Sequence, residues 1–294
     1  MLSLTAFKNP FEDAKQCSRP LILDGAMGSY LQQKGFPVDN NIWTTKINET
    51  NPEIIIGIHQ EYIKAGADII TTNTFRTNPS AMESAGISDI AKFVKEAVVL
   101  AKQSISDKQI LIAGCNPPAE DCYQKERTIS DKELELNHKY HIDLLIDNGG
   151  NLILNETQSH IDEIKIITDY SDKKNIPYVL SLYFDDTLRI LSGESVESVF
   201  SYLSDHNPLA VGLNCIAPET FFSLLHSISL DVNWGFYLNC GSGNLADKEI
   251  VCGVEPLDYV KIVESSLKYK PAFVGSCCGS SPEHTRKIKE FLDG

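Results

Sequence analysis

Three cysteines in the C-terminal half of the chain could form a metal centre. Cys215 ends one predicted β-strand, and the adjacent pair Cys277 and Cys278 ends the strand two further along. Three thiolates and one open coordination position suit tetrahedral Zn²⁺ with Zn–S bonds of ~2.3 Å, and the open position is typical of a catalytic zinc. Successive strand residues point to opposite faces, so both adjacent cysteines can reach one ion only if the strand has ended, which Gly279 permits. Spacing alone leaves inert, buried thiols as an equal alternative.

The other cysteines lack this arrangement, and we interpret them as structural or incidental: Cys17, Cys115, Cys122, Cys240 and Cys252. The histidines show no H-E-x-x-H zinc-binding spacing.

Asp24 and Glu156 form a second candidate group at the ends of the predicted first and fourth strands. Two carboxylates there could hold an ammonium group by charge-assisted hydrogen bonds. They could also act as the acid and base of a glycoside hydrolase. Alternatively, Asp24 begins a turn with Gly25 and Glu156 caps the next segment, and the sequence leaves these interpretations open.

The composition excludes several classes of protein. The 294 residues carry 26 Lys and Arg against 40 Asp and Glu, a net charge of −14, with no basic stripe of the kind that binds nucleic acid. No window approaches the ~18 apolar residues of a membrane span, and the N-terminus lacks a signal peptide. Eight cysteines without a secretory signal indicate a reducing compartment, so we expect a cytoplasmic protein.

Short apolar runs alternate with longer helical stretches along the whole chain. Each run is nearly continuous, as is typical of a parallel strand that is buried on both faces. The eight predicted strands are Leu21–Asp24, Asp68–Thr74, Ile110–Gly114, Leu152–Glu156, Tyr178–Phe184, Leu209–Asn214, Trp234–Asn239 and Ala272–Ser276.

Helix signals lie between most of these strands. Asn51 is a plausible N-cap of the predicted helix Pro52–Ala65, and Gly66 lies just past its C-terminal end. Ser130 and Glu133 have capping-box spacing at the start of another helix. The predicted helices are Pro52–Ala65, Ser88–Ser104, Asp131–Asn148, Ile161–Tyr170, Ser195–Leu203, Pro218–His226, Pro256–Tyr269 and Pro282–Leu292.

Eight alternations over this length predict one (β/α)₈ barrel domain spanning residues 1–294. No G-x-G-x-x-G motif follows an early strand, which disfavours an open dinucleotide-binding sheet. The C-terminal strand ends, where a barrel places its active site, carry acids, amides and thiols, among them Tyr183.

Four motifs at these strand ends resemble the homocysteine S-methyltransferase family. They are LILDGAMGSYLQQKG (21–35), AGADIITTNTFRTN (65–78), VGLNCIAPE (211–219) and GSCCGSSPEH (275–284). The family includes S-methylmethionine- and betaine-dependent enzymes, and the homocysteine-binding barrel of cobalamin-dependent methionine synthase is similar. The resemblance extends from residue 21 to residue 292.

The resemblance implies Zn²⁺ held by Cys215, Cys277 and Cys278, and a homocysteine amino group bound by Asp24 and Glu156. It implies further substrate-binding positions, from the backbone that cradles the amino acid to an aromatic near the methyl donor: Gly25, Trp43, Thr72, Asn73, Phe75 and Asn239. Trp43 or Tyr183 could add cation–π contacts to a cationic donor.

The implied reaction transfers a methyl group from an onium donor, with S-methylmethionine favoured and betaine possible, to the homocysteine thiolate. The third strand ends in AGCNPPAEDCY (113–123) where well-known members carry a Gly-Pro pair and a longer loop, so the donor pocket departs from the family pattern. No folate- or cobalamin-binding domain follows, which favours a free-standing enzyme that acts on small molecules; its oligomeric state is not indicated.

Three alternatives remain at this point. The enzyme could methylate another thiol or a selenol. A metal-independent hydrolase could use Asp24 and Glu156, and a metal-storage or redox-sensing protein could pair Cys277 with Cys278 in a vicinal disulfide.

Overall fold

A computed structural model describes residues 8–106, 109–242 and 250–294. Eight parallel strands form the central sheet, which we label β1 to β8: Leu21–Ile22, Ile69–Thr71, Leu111–Asn116, Leu152–Gln158, Tyr178–Leu182, Ala210–Asn214, Trp234–Leu238 and Phe273–Ser276. Their order around the sheet is β1, β8, β7, β6, β5, β4, β3, β2. Every residue of β5, β6 and β7 is buried, as the continuous apolar runs predict.

The sheet closes between β1 and β2 just past the end of β1. Leu23 forms a parallel bridge with Ile69, the Asp24 amide donates to the Ile69 carbonyl at 2.9 Å, and the Asp68 amide donates to the Ile22 carbonyl at 2.7 Å. These contacts complete the predicted (β/α)₈ barrel. Because closure leaves no free edge, the strand ends at each rim form a continuous ring.

Twelve α-helices surround the barrel in the described residues, and we label them α1 to α12: Pro10–Gln16, Gly28–Gln33, Ile47–Thr50, Pro52–Ala65, Pro79–Ser84, Ile90–Ser104, Asp131–Asp147, Ile161–Lys174, Val196–Leu203, Pro218–Ser227, Pro256–Ser266 and Pro282–Asp293. A 3₁₀ turn, Leu267–Tyr269, continues α11, and two short antiparallel strands, Gly241–Ser242 and Val251–Cys252, follow β7. None of the described helices is both long enough and apolar enough to cross a membrane.

The helix signals are confirmed with one exception. Ser130 and Glu133 form the predicted capping box of α7, and Gly66 ends α4 in the left-handed region at φ 111°. Asn51, in contrast, makes no side-chain capping bond to α4; its Oδ1 accepts from the Thr50 hydroxyl at 2.9 Å. Asn51 thus takes the predicted N-cap position of α4, but its side chain bonds Thr50, the last residue of α3, and leaves the first turn of α4 without a side-chain cap.

The sequence analysis did not predict α1, which packs at the N-terminal end of the barrel. Phe11 is buried with its ring edge-to-face on Phe273 at 5.4 Å, and the Asn9 side chain donates to the Leu209 carbonyl at 3.0 Å. Phe273 begins β8, and Leu209 directly precedes β6. Helix α1 therefore covers the end of the barrel at which the strands begin. The opposite end, where the strands terminate, stays open.

Candidate active site

A cavity of about 990 Å³ opens at the C-terminal ends of the strands. This volume is at the upper end of the ~300–1,000 Å³ range of small-molecule sites. Eleven of the site residues predicted from the sequence line this cavity: Asp24, Gly25, Trp43, Thr72, Asn73, Phe75, Glu156, Cys215, Asn239, Cys277 and Cys278. The structure therefore brings together residues that are up to 254 positions apart in the chain.

The three predicted metal-binding thiols converge in this cavity. The Cys215 and Cys278 sulfurs are 3.8 Å apart, the Cys277 and Cys278 sulfurs are 4.0 Å apart, and all three lie within 4.8 Å of one another. Tetrahedral zinc with ~2.3 Å bonds separates its ligand sulfurs by roughly 3.8 Å. A disulfide would need ~2.05 Å, so the thiols are free and spaced for a tetrahedral ion.

Backbone turns let the adjacent cysteines reach the same point. Strand β8 ends at Ser276, and the Ser280 amide donates to the Cys277 carbonyl at 3.1 Å to form a tight turn. Gly279 adopts φ +83°, and a Cβ there would lie 2.5 Å from the Gly241 amide nitrogen, so only glycine fits. On the other strand, Cys215 has φ +55°, an uncommon conformation that turns its side chain out of the β6 alternation.

The thiols differ in acidity. Hydrogen bonds with the Cys215 and Cys277 thiols lower the pKa of Cys278 well below its usual value, whereas hydrogen bonds with Cys215 and Cys278, together with burial, raise the pKa of Cys277.

Asp24 faces the cavity from the end of β1 and is 3% exposed. The Thr71 amide donates to one carboxylate oxygen at 2.8 Å, and the Thr71 hydroxyl donates to the other at 2.9 Å. Burial nevertheless raises the pKa of Asp24 to about 8, because it outweighs these hydrogen bonds, and the charge of Glu156 adds to the increase. A buried carboxyl group held in this way favours a cationic ligand, which would restore its charge.

Glu156 faces the same cavity from β4. Its Oε2 accepts a hydrogen bond from the Cys115 thiol at 3.1 Å, and burial raises the pKa of Glu156 to about 7. The β4 strand carries one extra residue relative to β5 between Asn155 and Gln158, and Thr157 in this bulge has φ +58°. A bulge redirects the neighbouring side chain, which explains how Glu156 leaves the strand alternation.

The bulge is linked to the metal-site strand by a reciprocal pair of hydrogen bonds. The Thr157 amide donates to the Asn214 side chain at 3.1 Å, and the Asn214 amide group donates to the Thr157 hydroxyl at 2.8 Å. Asn214 directly precedes Cys215, so one buried side chain fixes both the carboxylate and the thiol.

Comparison with known proteins agrees with this geometry. The sequence profile of the homocysteine S-methyltransferase family matches residues 21–292. This chain belongs to the homocysteine S-methyltransferase family. It is 24% identical to homocysteine S-methyltransferase 2 of Arabidopsis thaliana, over 98% of this chain and 97% of the relative, and 24% identical to homocysteine S-methyltransferase YbgG of Bacillus subtilis, over 95% and 96%. Selenocysteine methyltransferase of Astragalus bisulcatus is also 24% identical, over 94% of each chain.

The fold of this homocysteine S-methyltransferase family member also matches a solved structure. The metallated form of the homocysteine methyltransferase MmuM from Escherichia coli superimposes with a TM-score of 0.80 at 21% identity, covering 96% of this chain and 99% of MmuM. The family match makes the chain a methyltransferase, so the hydrolase and the metal-storage or redox-sensor alternatives are set aside.

An aromatic pair forms one wall of the methyltransferase cavity. Trp43 packs edge-to-face on Phe75 with ring centroids 5.8 Å apart, and Trp43 has φ +49° in the turn closed by Asp39. A Cβ on Gly28 would lie 2.6 Å from the Trp43 ring, so glycine lets α2 approach the indole. The aromatic predicted near the donor is thus fixed by its backbone and by α2.

Two predicted polar positions also hold the wall together. The Asn73 side chain bonds Thr44 at 3.1 Å and Asn48 at 2.9 Å, which ties the Trp43 segment to β2. The Thr72 hydroxyl accepts from the Cys115 amide at 3.1 Å. Asn239 lines the cavity after β7, with its Oδ1 accepting from the Gly241 amide at 2.8 Å.

The end of β3 and the loop after it bring three further residues to the cavity. Cys115 in β3 and Cys122 and Tyr123 in the loop all line it, and the interpretation of the two cysteines as structural or incidental stays a prediction. Tyr183, named as a candidate cation–π residue, is not among the described lining residues; it packs edge-to-face on Tyr123 at 5.0 Å. The place of Cys115 at a strand end could have identified it as a cavity residue, whereas no sequence feature marked Tyr123.

Proposed function

We propose that this methyltransferase moves a methyl group from an onium donor to the thiol of homocysteine, giving methionine, and that Cys215, Cys277 and Cys278 hold Zn²⁺ for the reaction. The proposal rests chiefly on one observation: three thiols at tetrahedral spacing share a cavity with the buried carboxyl groups of Asp24 and Glu156. A thiol-containing amino acid would bring its sulfur to the three cysteines and its ammonium group to the two carboxyl groups.

The cysteine donor set fits zinc because soft thiolates prefer it and their spacing matches a tetrahedron. When bound, zinc would keep a substrate thiol deprotonated at neutral pH, where a free thiol is only a few per cent thiolate. The three cysteine thiolates carry one more negative charge than a divalent ion cancels. Their excess charge favours a cationic donor in the cavity.

Asp24 and Glu156 position the acceptor and exchange no proton with the reacting sulfur. Their carboxylates bind the α-ammonium group, and Thr71 keeps Asp24 oriented through both of its oxygens. Anchoring the acceptor at its ammonium end restricts the direction from which the sulfur attacks.

The donor is an onium compound because a neutral leaving group makes methyl transfer feasible. The acceptor thiolate supplies the electron pair of the new S–CH₃ bond, and the electrons of the broken bond neutralise the donor sulfonium or ammonium. Trp43 offers an aromatic face for the cation. S-methylmethionine is favoured, and betaine is the second donor.

Replacing Cys278 with alanine tests the metal site. We expect the variant to lose stoichiometric zinc, measured by elemental analysis after dialysis, and to lose methionine formation. Cys17→Ala is the matched control, because Cys17 is an exposed thiol on the turn after α1, and it should retain both. Full activity of metal-free protein would contradict the proposal.

Donor and acceptor are tested side by side on zinc-loaded enzyme. S-methylmethionine, betaine and methyl-folate are compared with homocysteine as acceptor, and homocysteine is compared with selenocysteine because some relatives are named selenocysteine methyltransferases. Product formed only from selenocysteine would replace homocysteine as the proposed acceptor.

We also propose that residues 1–294 act as one domain in the cytoplasm. All eight cysteines are free thiols, which suits a reducing compartment. The substrates are small molecules.

A further inference from the structure

Arg76 is the single cationic side chain among the described residues that line the cavity. Four carboxylate side chains line the same space: Asp24, Asp39, Asp121 and Glu156. No other described side chain in this lining offers an opposite charge to an anionic group of a ligand. Arg76 is where such a group finds an opposite charge.

The backbone on the C-terminal side of Arg76 is firmly anchored. The next two residues, Thr77 and Asn78, are fully buried. The Thr77 hydroxyl hydrogen-bonds His141 at 2.8 Å, and the Asn78 side chain donates to the Ala119 carbonyl at 3.1 Å. Arg76 therefore projects from a fixed segment, as a binding residue requires.

The guanidinium group keeps donors available. Its Nη1 donates to the Glu120 carbonyl at 3.2 Å, and its Nη2 lies 3.5 Å from Asp121, which is 57% exposed. These contacts use two of the five N–H donors of the planar fork. A long ion pair to an exposed partner contributes little, so Asp121 does not compete strongly with a ligand carboxylate.

Arg76 lies next to the aromatic wall. Its Cζ is 5.6 Å from the Phe75 ring centroid, and Phe75 packs on Trp43. One side of the cavity thus presents aromatic faces, which attract an onium group, beside a guanidinium, which attracts a carboxylate. This pairing is complementary to a zwitterion.

We propose that Arg76 binds the carboxylate of the methyl donor, so that the enzyme selects onium carboxylates over onium compounds without one. The inference rests on the proposed function and adds to it the residue that recognises the donor carboxylate. Glu120 and Asp121 belong to the loop after β3, and their contacts with the guanidinium orient the arginine.

Equilibrium binding tests the proposal without turnover. Zinc-loaded enzyme is titrated calorimetrically with S-methyl-L-methionine and with its carboxamide, which lacks the negative charge. We expect the acid to bind about 10- to 100-fold more tightly than the carboxamide, and Arg76→Met to bring the two affinities together. Arg76→Lys should retain part of the preference.

Arg189→Met is the matched control, because Arg189 is exposed in the loop after β5 and does not line the cavity. It should keep the full preference. A variant that merely disturbs the loop would weaken both ligands equally and leave their ratio unchanged.

Equal affinities in the unaltered enzyme, absence of binding by both ligands, or an unchanged ratio in Arg76→Met would overturn the proposal. Weaker homocysteine binding in Arg76→Met with an unchanged donor ratio would assign Arg76 to the acceptor instead. Intact discrimination without any methionine formation would contradict the proposed function and leave the Arg76 site standing.

Discussion

At the residue scale, the ammonium site proposed at Asp24 couples ligand binding to the protonation of that carboxyl group. Burial raises the pKa of Asp24 to about 8 in the free protein, and burial raises that of Glu156 to about 7. Near neutral pH, Asp24 is therefore mainly protonated. A bound ammonium favours the ionised form and lowers this pKa, so binding should release a proton.

Proton release can be measured with a ligand that has no thiol to ionise. Norvaline carries the ammonium and a three-carbon side chain that matches the side chain of homocysteine in length. At pH 7, its binding enthalpy should vary with the ionisation enthalpy of the buffer in the direction of proton release, and Asp24→Asn should release less. Proton release by Asp24→Asn equal to that of the unaltered enzyme would show that another group titrates.

The same raised pKa affects stability. The pKa of Asp24 is about 8 in the folded protein and near its ordinary value in the unfolded chain. The folded state therefore binds the proton more tightly, and this difference stabilises it least once the pH exceeds 8. The stabilising contribution is fully present below about pH 4 and is lost progressively as the pH rises to 8. Ionisation of Asp24 therefore costs stability, which the proposed ammonium ligand would offset.

At the element scale, the β4 bulge and the end of β6 act as one unit. Thr157 and Cys215 both have positive φ, and the Asn214 side chain bonds both the amide and the hydroxyl of Thr157. Positive φ costs of order 1–3 kcal/mol for a non-glycine residue and persists only where neighbouring contacts enforce it. Asn214 supplies such contacts between the two strands.

Asn214→Leu should lower the free energy of unfolding by ~1–3 kcal/mol, because the buried Thr157 amide loses its acceptor. It should also weaken zinc retention against a competing chelator, since Cys215 follows directly. Urea unfolding and chelator titration measure the two effects. Asn207→Ala is the control at an exposed position and should change neither stability nor zinc retention. Unaltered zinc retention in Asn214→Leu would show that Cys215 is positioned independently of Asn214.

At the scale of the whole molecule, a buried ionic network attaches the loop after β3 to the helical layer. Glu163 of α8 is fully buried, accepts from the Ala119 amide at 2.6 Å and from His138 at 3.0 Å, and lies 3.2 Å from Arg127. Burial alone would raise the pKa of Glu163, but the hydrogen bond and charge of His138, together with Arg127, lower it to about 2.

Glu163→Ala should lower the free energy of unfolding at pH 7 by ~3–5 kcal/mol, since it leaves the buried Ala119 amide and His138 without their acceptor and removes one of the three carboxylates around Arg127. Because the folded pKa is depressed, this contribution is present above the ordinary glutamate pKa and is lost as the pH falls towards 2. Urea unfolding at pH 7 and pH 3 measures both effects.

Glu135→Ala is the control, because it removes an exposed ion pair with Lys139 within one helix. It should change the free energy of unfolding by less than about 1 kcal/mol. A similar loss of stability in both variants would contradict the role of the network.

The pattern of residue types over short stretches of the chain was enough to predict most helices and strands, and the strand ends that line the active site. Continuous apolar runs gave the strands, and Ser130 with Glu133 gave the start of α7, because each depends on residues only a few positions apart. The placement of Cys215 and Cys278 at strand ends followed from the same pattern. Asn51 makes no capping hydrogen bond to α4 because its side chain accepts from Thr50, the last residue of the short helix α3.

Nonlocal contacts decided the rest. Closure through Leu23 and Ile69, the spacing of the Cys215 and Cys278 sulfurs, and the contact of Cys115 with Glu156 join residues at least 41 positions apart. No periodicity encodes such distances, since they depend on how the strands are staggered around the closed barrel. The sequence alone therefore determined which residues end the strands, and the tertiary structure determined which of them meet.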